Sequence, residues 1–143
     1  LILFFALKGE ETMKKVVALL ACAMLVASMV ACGTITLETF YGNAVTKAAL
    51  DEECKKQLEQ FDGVYSDISY EVVDNKFTYK FTFAEQLEVS EEDLASTKAS
   101  LEAQLDSLGP SVKAETGIKD QIEIGYVYYN PDGSVILETY KTY

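Results

Sequence analysis

Hydrophobic and polar positions follow three rhythms along the chain, and each predicts a different kind of element. From Asn43 onward, Leu50, Cys54, Leu58 and Phe61 recur at helical spacing, the stripe of an amphipathic helix over Ala44 to Gln60 with Asn43 as its cap. Before it, Thr36 to Tyr41 reads as a short helical turn ended by Gly42-Asn43. A second stripe, Leu94, Leu101, Leu105, Leu108 and Val112, follows Ser90-Glu91-Glu92-Asp93, where serine caps and three acids suit the positive end of the helix dipole. Gly109-Pro110 interrupts that stripe, because proline lacks a backbone donor and clashes with the preceding turn. Val112 keeps phase, which favours a kinked helix ending at Thr116 with Gly117 as its cap over a second helix starting at Ser111.

The second rhythm is strict alternation. Ile68 to Val73, then Asp74-Asn75, then Lys76 to Phe83 predicts a β-hairpin on a two-residue turn. Counting outward pairs Val72 with Phe77, Tyr70 with Tyr79 and Ile68 with Phe81 on an aromatic face, which is read as core rather than as a ligand platform. Glu71 with Thr78 and Ser69 with Lys80 fall on the other face. A second hairpin, Gln121 to Tyr129 and Ser134 to Tyr143, turns at Asn130-Pro131-Asp132-Gly133. Counting outward places Ile124, Tyr126, Tyr128, Ile136 and Tyr140 on one face, taken as core although Glu138 then stands opposite Tyr126. Val127, Tyr129, Val135 and Leu137 fall on the opposite face, a candidate partner-binding patch.

The order helix, hairpin, helix, hairpin predicts one α+β domain over 36–143. It is read as αββαββ, an antiparallel sheet with helices packed on one face, in two similar αββ halves.

The third rhythm is an unbroken apolar run. Lys14-Lys15 precede Val16 to Met29, and Val30-Ala31-Cys32-Gly33 follows, the order of a bacterial lipoprotein export signal. Residues 13–31 are therefore expected to form a cleaved signal helix. Cys32 is the expected lipidation site, with small Ala31 before the cut; Cys22 would leave an apolar overhang. The run from Val16 to Ala31 is shorter than the roughly 20 residues a membrane span requires. Residues 32–35 form a short tether of about 10 Å. Leu1 to Thr12 reads as a non-native upstream extension. Lys8-Gly9-Glu10-Glu11 back-translates to a purine run of the kind that recruits ribosomes before Met13; the other reading is a longer genuine signal.

Charge changes the picture of partners. The 143 residues carry 12 basic and 23 acidic side chains, with no histidine or tryptophan, and from Cys32 onward nine lysines face 21 acids. Such a surface repels phosphate backbones, which excludes nucleic acid. Asp51-Glu52-Glu53 point in different directions on a helix and do not converge on one metal ion. Cys54 has no histidine to activate it and reads as a small core residue. No cofactor or catalytic residue is expected.

The Lys-Lys signal ending in Ala31-Cys32-Gly33, the opening Thr36-Leu37-Glu38, the Asp74-Asn75 hairpin with Phe77-Thr78-Tyr79, Glu115-Thr116-Gly117-Ile118-Lys119 and Asn130-Pro131-Asp132-Gly133 together resemble a family of small Firmicutes lipoproteins of unknown function, domain-of-unknown-function family 4854. The resemblance spans nearly all of the chain from Met13, and its motifs are structural punctuation. It implies an α+β domain anchored in the cell envelope and transfers no catalytic residue. The expected function is a non-enzymatic binding or accessory module on the outer face of the cell membrane, held in the lipid bilayer through acylated Cys32 and binding an envelope protein, peptide or glycan. The alternative is a carboxylate-dependent envelope hydrolase, for which no pair of acids is singled out by spacing.

Overall fold

The computed structural model describes residues 35–143, so the expected signal, the Cys32 junction and Leu1 to Thr12 lie outside the described residues. The elements run α1 (Leu37–Tyr41), α2 (Ala44–Gln60), β1 (Tyr65–Val73), β2 (Lys76–Phe83), α3 (Glu91–Thr116), β3 (Glu123–Tyr129) and β4 (Val135–Thr142). Capping sets the helix starts. The Thr36 side chain accepts from Thr39 N, Asn43 accepts from Val45 and Thr46 N, and Ser90 accepts from Asp93 N. The long helix α3 runs unbroken through Gly109-Pro110 and ends on Gly117, which takes the left-handed conformation at φ 69°.

The four strands lie in the order β1-β2-β3-β4. Hairpin β1–β2 has the expected register, with Val72 opposite Phe77, Tyr70 opposite Tyr79 and Glu71 opposite Thr78. Asp74 at its turn adopts φ 51°. The sheet is mixed rather than antiparallel, because β2 and β3 run side by side in the same direction, Phe77 against Ile124 and Tyr79 against Tyr126. The 26-residue α3 is the cause. A helix of that length carries the chain back to the end of the sheet where β2 began, and the next strand then starts parallel to it.

Hairpin β3–β4 contains a bulge, and it overturns the face assignment made by counting from the turn. Tyr129 faces Val135, but Tyr128 faces Leu137, leaving Ile136 as the extra residue. Beyond that point every β4 side chain lies on the face opposite to the one expected, since one residue of slip inverts the alternation. Leu137, Thr139 and Lys141 join Tyr128, Tyr126 and Ile124, while Glu138 and Tyr140 stand beside Val127 and Gly125. The charge expected opposite Tyr126 is thereby removed, and Thr139 takes that place.

Both long helices cover the same face. Tyr70 donates to the Asp51 carboxylate of α2 at 3.0 Å, and Thr139 and Lys141, in line with Tyr126 and Ile124, reach Glu102 and Asp106 of α3. Between helices and sheet lies one core, which joins Leu37, Tyr41, Leu50, Phe77, Tyr79, Leu105, Leu108, Ile124 and Tyr126. The aromatic row expected as core is therefore core. Stacked rings continue it across the sheet, Tyr70–Phe77 at 5.7 Å and Tyr79–Tyr126 at 5.7 Å.

Candidate functional site

With one face of the sheet under helices, the other presents side chains to solvent. At its centre Gly125 leaves space that the Tyr140 ring fills: a Cβ added there would lie 2.1 Å from the edge of that ring and 2.5 Å from the Thr139 carbonyl oxygen. Laid over the strand, Tyr140 places its hydroxyl 3.3 Å from Thr78 Oγ1 and its ring 3.7 Å below Lys76 Nζ. Lys76 also pairs with Glu123 at 2.9 Å, and Lys80 pairs with Glu71 at 2.8 Å. Hydrogen bonding to those carboxylates raises both lysines above their ordinary value, so both remain charged at neutral pH.

Glu71, Val73, Lys76, Thr78, Lys80, Tyr129 and Tyr140 line an open concavity of about 280 Å³ on this face. Its chemistry is that of a recognition surface: two fixed ammonium groups, one carboxylate, two phenols and a hydroxyl. One acid lines it, and that acid is engaged by Lys80.

The expected patch is divided. Tyr129 lines the concavity. Val127 lies on the same face but is buried, flanked in register by Lys80 and Glu138. Val135 is 53 % exposed at the start of β4, and Leu137 packs toward the helices on the opposite face. Counting along the strands had already placed Glu71, Thr78 and Lys80 on the polar face; Tyr140 was missed because of the bulge. A glycine in an apolar strand, Gly125, was the available sign that a side chain lies close over the backbone.

Two other groups bear on chemistry. Burial first, then neighbouring carboxylates, pushes the half-buried Cys54 thiol up to about 11, which keeps it protonated at neutral pH. Under α1 and the end of α3, Tyr41 Oη and Glu115 Oε1 are buried without a hydrogen-bond partner, and burial raises the Glu115 carboxyl to about 7. Among the described residues no three acidic, cysteine or histidine side chains are grouped to hold a metal ion, and no helix is long and apolar enough to cross a membrane.

The fold and this face define a small α+β domain with one buried and one displayed side to its sheet. Residues 43–141 match the family described as Domain of unknown function (DUF4854), and the chain belongs to that family. No curated protein and no solved structure matches it.

Proposed function

We propose that this protein is an extracytoplasmic lipoprotein, moored by a diacylglyceryl group on Cys32 to the outer face of the cell membrane, and that its domain is a non-enzymatic binding module. In this reading the αββαββ body stands behind a cleaved signal helix and offers its open sheet face to an envelope protein, peptide or glycan. The observation that carries the binding role is the displayed face itself, where Tyr140, Lys76 and Lys80 are held in place by Gly125, Glu123 and Glu71. Groups fixed before a partner arrives lose little freedom on binding, which favours recognition. The motif Ala31-Cys32-Gly33 after an apolar run supports the anchor.

Two measurements test the two parts. Labelled palmitate should enter the full chain in a bacterial host and be lost in Cys32→Ala; unlabelled protein in the cytosol with its leader attached would refute the anchor. A photo-crosslinking residue at Tyr129 should capture a discrete envelope partner on intact cells, while the same residue at the exposed Ser100 of α3 should not. Identical capture from both positions would refute the binding face.

A further inference from the structure

The chain enters the domain at one end. Leu37 N donates to Asn75 Oδ1, Glu38 N to the Asp74 carbonyl and Asp74 N to the Glu38 carboxylate, which ties α1 to the β1–β2 turn. At the same end α3 finishes, β3 begins and β4 finishes, with Glu123 N bonded to the Asn75 carbonyl and Lys113 Nζ to the Tyr143 carbonyl. Strands of 7 to 9 residues place the far end about 26 Å away.

Charge divides sharply between these ends. Around the point of entry, residues 36–47, 72–77, 113–123 and 141–143 carry five lysines and five carboxylates. At the far end, residues 57–67, 83–93 and 129–135 carry nine carboxylates (three, five and one) and no lysine.

Resting on the reading of Cys32 as the lipid anchor, we propose that the domain stands upright on an anionic lipid surface, its Asp74-Asn75 end against the headgroups and its acidic end turned outward. The tether permits little else. Cys32 and Ile35 are three residues apart and span at most about 11 Å, so the far end cannot be brought down to the membrane by inversion. A domain lying on its side is still within reach, and charge decides against it. Upright, the acidic end stands several Debye lengths from the lipid, each about 8 Å at physiological salt, whereas tipping over carries those carboxylates into the repelling field. The outward-facing end is then the one that anything approaching from outside meets first.

The chain has no tryptophan, so a single one reports its own position. Gln121→Trp lies at the entry end and Ala84→Trp at the far end, both at exposed uncharged positions. Each full-length variant is purified in acylated form, checked by intact mass, and reconstituted into phosphatidylethanolamine–phosphatidylglycerol vesicles carrying a headgroup nitroxide. Quenching of Gln121→Trp should exceed that of Ala84→Trp severalfold, and raising the phosphatidylglycerol fraction should widen the ratio. A second pair, Asp120→Trp and Glu85→Trp, should repeat it whatever either first site tolerates. Equal quenching at both ends of an acylated protein would overturn the orientation and leave the anchor standing. A mass showing no acyl group on Cys32 would overturn both.

Discussion

At the residue scale, the open face depends on an absent side chain. Gly125→Ala drives a methyl group into the Tyr140 ring and against the Thr139 carbonyl, and should destabilise the domain by about 1–3 kcal/mol in urea titration. Adding Tyr140→Ala should return part of that loss but not all, since the backbone contact remains; a double-mutant cycle separates the two. Glu115 gives a pH dependence of definite sign. Its carboxyl rises from an ordinary value of 4.5 to about 7 on folding, so the native state holds the proton more tightly. Its stabilising contribution is complete below about pH 4.5 and disappears as pH rises through 7, roughly 1 kcal/mol after discounting for its half-open position. Glu115→Gln should flatten the urea midpoint between these pH values relative to the parent, and a parallel slope in both proteins would contradict this. Side chains such as Glu71 and Lys80 were legible because alternation in the first hairpin is regular. Tyr140 was not, because one bulged residue, Ile136, inverts everything after it and leaves no mark in a pattern that is apolar on both faces.

At the element scale, a five-residue helix has an importance out of proportion to its length. Leu37 is fully buried and Tyr41 is 2 % exposed, with its ring edge-on to Phe77 at 5.2 Å, so α1 closes the end of the core against the sheet. Leu37→Ala should therefore cost about 2–5 kcal/mol, as for a central core leucine, and shift the thermal midpoint accordingly. A loss below 1 kcal/mol would mean that α1 is only loosely seated. The elements themselves were readable because cap residues and stripe spacing act locally: Asn43, Ser90 and Gly117 mark their helix ends without help from the rest of the chain. How the hairpins adjoin was not, since the pairing of β2 with β3 is decided by where α3 delivers the chain. A strand-helix-strand crossover of that length was the clue, and it favours parallel neighbours. The importance of α1 escaped for a related reason: six residues between Thr36 and Tyr41 show too little periodicity to reveal which face is buried.

At the scale of the whole molecule, a net charge of −11 is spread unevenly, and its far end holds acids alone. Repulsion among them opposes folding, so moderate sodium chloride should raise the thermal midpoint by screening; a midpoint that falls or stays fixed would show that ion pairs such as Lys80–Glu71 outweigh it. The three hydrogen bonds joining Leu37, Glu38, Asp74 and Asn75 have a mechanical meaning as well. Any tension along the leading segment is delivered to that clasp before it reaches the ladder of the sheet. A pull on the residues ahead of Leu37 would then load α1 first, while all four strands stay paired, as a fuse yields to protect the circuit behind it.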